Sequence, residues 1–142
     1  MLALENVGNR IVEFVLLSNK LDPLGSRNAD LSISVENVSK YLDTNTMKIK
    51  SKTLQEYVSG KIGFINSQGS SILGLTYVRD EPTEISGLPA WGIEYTSSFA
   101  YETTTYVIKD NILFTFDFYS DQLKAPEMLP IAEKMIASFQ FI

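Results

Sequence analysis

Tyr106-Val107-Ile108-Lys109-Asp110-Asn111-Ile112-Leu113-Phe114-Thr115-Phe116-Asp117-Phe118 decides the fold class. Two runs rich in β-branched and aromatic residues flank a polar tripeptide, which predicts two strands joined by a tight hairpin at Lys109-Asp110-Asn111. Phe114, Phe116 and Phe118 alternate, so the second strand presents one aromatic face. Working backward, Tyr101 to Ile108 and Ala90 to Thr96 read as strands with a looser turn over 97–100. Trp91 and Tyr95 share a face of the earlier strand. Ile72 to Val78 reads as a further strand. Asp80 to Pro89 reads as a connection closed by Ser86-Gly87-Leu88-Pro89.

Nearer the start, Ile11 to Leu17 and the strictly alternating Leu31-Ser32-Ile33-Ser34-Val35-Glu36 predict two more strands. Asp22-Pro23-Leu24-Gly25 between them is turn chemistry. Residues 37–50 are polar and irregular and read as an exposed loop. Thr53-Leu54-Gln55-Glu56 is a capping box opening a helix. Leu54, Tyr57, Val58, Ile62 and Ile65 follow at helical spacing, and Gly69 stands where a C-cap belongs. Gly60 and Gly63 weaken that helix, and we expect them to let it pack closely on a sheet. A last helix over 126–139 begins with Pro126 and carries the stripe Leu129, Ala132, Met135, Ile136 and Phe139. Consecutive hairpins imply a mostly antiparallel sheet whose faces need helices to cover them.

Bulk properties narrow the chemistry. The 142 residues suit one domain with a real core, and 44% hydrophobic content argues against disorder. There is no histidine and no cysteine, which excludes a disulfide, a thiolate nucleophile, a Cys/His zinc site and a Ser-His-Asp triad. A net charge of -5 argues against a general nucleic-acid binder. The charge is uneven: residues 1–62 carry 8 basic and 7 acidic side chains, residues 63–142 carry 4 and 10. No apolar run approaches the ~18 residues of a membrane span.

The order of segments from Ile85 onward resembles a known family. Ile85-Ser86-Gly87-Leu88-Pro89-Ala90-Trp91-Gly92-Ile93-Glu94-Tyr95 is a Gly-x-Pro turn entering an aromatic strand. The 106–116 hairpin follows, and Ile131-Ala132-Glu133-Lys134-Met135-Ile136-Ala137-Ser138-Phe139 closes the chain with a helix ending in Ser-Phe. This succession resembles the PsbP-like family, and most of all the PsbP-related domains of secreted or lipid-anchored archaeal proteins. The resemblance implies an α+β fold of the Mog1/PsbP-like kind. That is an α/β/α sandwich with a central, mostly antiparallel sheet flanked by helices, here one PsbP-like domain over 1–142. It further implies a non-enzymatic, extracytoplasmic module acting on a protein partner at a membrane surface. Two departures stand out. The family's opening hairpin with its aromatic-Pro-x-x-Trp signature is missing. Photosynthetic members also carry histidine among their metal-binding residues, and this chain has none, so no metal ligand and no cofactor carry over.

The candidate binding residues follow from charge and from the aromatic stripe. Lys48, Lys50 and Lys52 form a basic stripe suited to an acidic partner or lipid surface. Asp80, Glu81 and Glu84 form a carboxylate cluster that a weakly held cation would use if they met on a flexible loop. The docking reading uses the loops 18–30, 37–52 and 80–89. A second reading is a small-ligand or cation carrier with a pocket beside the aromatic sheet face at Trp91, Tyr95 or Phe116. For acid–base chemistry Glu94 and Asp117 are the strand carboxylates to compare, and the sequence leaves open whether their faces coincide.

Overall fold

The computed structural model describes residues 10–16 and 29–141, and only the backbone of the first stretch. The opening residues and the turn expected at 22–25 lie outside the described residues. The strands are β1 (Arg10–Leu16), β2 (Ala29–Asn37), β3 (Lys40–Asp43), β4 (Lys48–Ser51), β5 (Thr76–Ile85), β6 (Leu88–Thr96), β7 (Ala100–Lys109) and β8 (Ile112–Asp121). The helices are α1 (Leu54–Ser67) and α2 (Ala125–Ala137). Six strands form the main sheet in the order β1-β2-β8-β7-β6-β5, and every neighbouring pair is antiparallel.

The hairpin that decided the fold class forms as expected. Asp110 and Asn111 take φ of 52° and 61°, the left-handed pair that a two-residue turn of matching twist requires. A second such turn, Ser86 at 53° and Gly87 at 79°, corrects the reading of residues 80–89 as a connection. The residues before it pair with β6 from Thr76↔Thr96 to Ile85↔Leu88, with a bulge at Val78. Acidic side chains and Pro82 are poor strand formers. They are tolerated because β5 is an edge strand, where a missing N–H breaks no ladder and charge discourages further pairing. The strand also starts later than expected: Ile72 is 95% exposed and Leu73 49%, in the turns that follow α1.

Residues 40–51 correct a second expectation. They are a two-stranded hairpin, β3 with β4, standing apart from the main sheet. Its base is tied to α1: Lys52 N–H donates to the Ser39 carbonyl at 2.9 Å, Ser39 N–H to the Tyr57 hydroxyl at 2.9 Å, and Tyr41 Oη to Glu56 at 3.4 Å.

The capping box at α1 is present, with Glu56 N–H donating to Thr53 Oγ1 at 3.2 Å and Thr53 N–H to Glu56 Oε1 at 3.3 Å. The helix ends at Gln68 rather than Gly69. Gly60 and Gly63 do not meet the sheet: a Cβ on either would find no atom within 4 Å. Val58 and Ile65 face inward instead, onto Leu75, Ile93 and Tyr95. On the opposite sheet face, Met128 and Ala132 of α2 pack on Ala29, Leu31 and Phe118. Phe116 joins Ile85, Ala90 and Val107 below Ile136, Phe139 and Phe141. Pro130 stands exposed inside α2, where the carbonyl it leaves unpaired, that of Pro126, belongs to the first turn.

Candidate functional site

Each helix covers only half of its sheet face. α1 lies on β5, β6 and β7, whereas α2 lies on β8 and β2 on the other side. Two sheet areas diagonal to one another are left without a helix, and a recess forms at each.

The recess on the α1 face has a volume of about 370 Å³ and is bordered by Lys61, Tyr95, Glu102, Asp117 and Tyr119. Its floor follows from strand parity. Ser32 pairs with Asp117, Asp117 with Thr104, and Thr104 with Ile93. Ile93 is the apolar member of this row, packed under α1, and from Thr104 through Asp117 to Ser32 the row is polar. Thr104 Oγ1 donates to Asp117 Oδ1 at 2.7 Å. Burial holds the Asp117 carboxyl above the ordinary carboxylate range, against the pull of the Thr104 hydrogen bond and the Lys61 charge. Burial raises the Glu102 carboxyl as well. Lys61 Nζ stands 5.0 Å from the Tyr95 ring centroid, a cation–π contact.

A raised carboxyl favours the fold in its protonated form. The stabilisation is therefore present below the unfolded carboxylate range and lost as pH rises through the raised value. Asp117→Asn keeps an oxygen for Thr104 and removes the buried charge. We expect the variant to melt higher than the parent at neutral pH, with the gap closing as pH falls through the carboxylate range. Melting curves that coincide at neutral pH would contradict this.

The second recess, on the α2 face, is a groove of about 290 Å³ between α2 and the part of β5–β6–β7 left open beside the Ile85–Ala90–Val107 cluster. Arg79 Nε donates to Glu94 Oε2 at 2.6 Å on its rim. Burial and the neighbouring Glu94 raise the Tyr101 phenol well above its usual range.

The sequence-derived candidates separate in space. Asp80, Glu81 and Glu84 lie in the edge strand β5 rather than on a loop. They alternate: Asp80 lies across from Ile93 and Glu84 from Pro89, while Glu81 lies across from Gly92. The Asp80 carboxylate accepts from Tyr77 Oη on one oxygen and from Trp91 Nε1, at 2.6 Å, on the other. Those two bonds, Tyr77 first, hold its pKa below the ordinary value. Among the described residues no three carboxylates come together in a metal-holding cluster. Trp91 is thus a partner of Asp80 under α1, and neither it nor Phe116 borders either recess. Glu94 and Asp117 fall on opposite sheet faces, since Glu94 pairs with Thr103 while Asp117 pairs with Thr104. They cannot flank one substrate bond.

Lys48 and Lys50 stand on β4, facing the same side as Tyr41 and Asp43. Lys50 Nζ bridges Asp43 at 2.6 Å, and that contact lowers the Asp43 carboxyl. Lys52 lies 5.6 Å from the Tyr57 ring centroid. On the other side Lys40 is joined by Leu42 and Ile49, 53% and 73% exposed, with Met47 at the tip 72% exposed. These apolar residues were missed in the sequence because a loop has no faces. Glu102 was missed too, although Glu102 and Thr104 share parity in β7, as Thr115 and Asp117 do in β8.

No protein-family model matches the sequence, and no curated protein matches it. Solved structures do. PA94 of Pseudomonas aeruginosa, described as a protein of unknown function and a candidate regulator, superposes with a TM-score of 0.64 at 11% identity, over 99% of this chain and 87% of that one. Cyanobacterial PsbP (CyanoP) from Synechocystis sp. PCC 6803 superposes with a TM-score of 0.55 at 11% identity, over 90% and 79%. With the antiparallel sheet and its two flanking helices, these likenesses give the chain a PsbP-like α+β fold.

Proposed function

We propose that the protein is a non-catalytic binding and assembly module that works at a membrane surface outside the cytoplasm and docks through the β3–β4 hairpin. The observation that carries this reading is the hairpin itself. In a chain of net charge -5, residues 40–52 hold four lysines against one aspartate, beside the exposed Leu42, Met47 and Ile49. Lys48 and Lys50 on one side and Lys40 on the other attract an anionic surface, and the aliphatic side chains beside Lys40 and at the Met47 tip suit the headgroup boundary. The rest of the molecule, rich in carboxylates, is repelled by the same surface and is left facing the partner.

Flotation of the full chain with phosphatidylcholine vesicles, with and without phosphatidylglycerol, tests the reading. Binding is expected only to the anionic vesicles and is expected to fall with salt. Each lysine near such a surface contributes about 1 kcal/mol, so Lys48→Glu with Lys50→Glu is expected to weaken binding by roughly 30-fold or more. Equal binding of the double variant, or equal binding to neutral vesicles, would remove the hairpin from the docking surface.

A further inference from the structure

The groove on the α2 face has a chemistry that the hairpin reading does not use. Its floor is Gly92 of β6 with Thr103 and Thr105 of β7. Thr105 is 9% exposed and borders the groove. A Cβ placed on Gly92 would lie 3.6 Å from Thr105 Oγ1, so that hydroxyl points over the empty position above the glycine. A hydroxyl that opens onto the groove is available as donor and acceptor to a polar group that enters it. The walls are apolar, from Ile85 on the sheet side and Leu129, Ala132 and Ile136 on the helix. The rim is acidic: Glu81, Glu94 and Glu133 stand against the single cation Arg79, and Glu94 already pairs with it. Glu81 and Glu133 are exposed at the mouth.

From this combination we infer that the groove binds a small aliphatic amine. The chain of the ligand lies on Ile85, Leu129 and Ile136, its ammonium group meets Glu81 and Glu133, and Thr105 offers a hydroxyl to any polar group along it. The volume stands at the lower end of the range for small-molecule sites, roughly 300–1,000 Å³. That limits the occupant to a small molecule. A carboxylate-bearing ligand of the same length meets like charge at the rim and is excluded.

The test is an NMR titration of the full chain with hexylamine, with hexanol and hexanoate as matched probes. Hexylamine is expected to give saturable shifts at the Gly92 and Thr105 amides and at the methyl groups of Ile85 and Ile136. Hexanol is expected to bind at least about fivefold more weakly and hexanoate not at all. Gly92→Leu, which fills the floor, is expected to abolish the shifts, and Glu81→Gln with Glu133→Gln to weaken them about fivefold or more. Lys48→Glu with Lys50→Glu is expected to leave them unchanged, which keeps this result separate from the docking test. The inference is overturned if hexanol or hexanoate binds as tightly as the amine, if no saturable shift appears at the groove, or if the shifts follow protein concentration instead, which would assign the groove to a second copy of the chain. Should Gly92→Leu fail to fold, the two glutamine substitutions at exposed positions decide the matter alone.

Discussion

Phe116→Ala is expected to lose about 3–5 kcal/mol of folding stability, the range for emptying a well-packed aromatic site. Phe116 is 0% exposed and stands in the middle of β8, between Ile33 of β2 and Thr105 of β7. Its ring meets that of Phe139 edge to face, with centroids 5.1 Å apart and planes at 82°. Phe139 in turn touches Phe141 in the same manner at 5.1 Å. The site has little freedom to collapse, because β8 is hydrogen-bonded on both sides and the cluster above it is already filled by Ile136 and the C-terminal phenylalanines. Part of the loss is therefore a lasting cavity rather than transfer of the ring alone. Phe116→Leu keeps most of the volume and is expected to lose no more than about 1.5 kcal/mol. Urea unfolding checks both: the midpoint falls while the slope is unchanged, and the alanine variant melts roughly 10 °C lower or more. A loss below about 1 kcal/mol for alanine would mean that the site relaxes, and the account of the α2 face would have to be abandoned.

The same strand shows how much was legible in the sequence. Alternation in Phe114-Thr115-Phe116-Asp117-Phe118 and in Leu31-Ser32-Ile33-Ser34-Val35 gives one apolar and one polar face in each strand. The structure keeps both: the apolar face lies under α2 and the polar face lines the recess by Lys61. What alternation cannot supply is the neighbour. β2 pairs with β8, some eighty residues along the chain, and only that pairing sets Ser32, Asp117 and Thr104 in one row. Nor can it say how far a helix reaches across a sheet, which is what opens each recess. Residues 80–84 misled for a different reason. Their composition suits a loop, and tertiary pairing with β6 overrides it. The hairpin of residues 40–51 escaped because its strands are four residues each, too short for a period-two pattern to stand out from a lysine-rich loop. The resemblance to the PsbP-like family was carried by the order of segments, and the order is what the structure preserves.

Gly60→Ala with Gly63→Ala is expected to raise stability by about 1.5–2 kcal/mol. Glycine in a helix interior is about 0.8–1.0 kcal/mol less favourable than alanine, chiefly because of the freedom it has in the unfolded chain. The sequence invited another reading, in which small residues bring the helix close to the sheet. The structure places both glycines on the outer face of α1, exposed, with no atom within 4 Å of where a Cβ would stand. Neither has a positive φ, so alanine meets neither a neighbour nor a backbone penalty. Thermal unfolding is expected to move up by roughly 5 °C, and the two single variants are expected to add. A fall in either single variant would show that this face is covered by something that needs the space. The same proteins then separate fold from docking. α1 holds the base of the β3–β4 hairpin through Tyr57 and Glu56, but Gly60 and Gly63 touch none of those groups. Higher stability with unchanged vesicle binding is the expected pair of results. Higher stability with weakened binding would extend the docking surface from the hairpin onto the exposed face of α1, where Phe64 is 48% exposed.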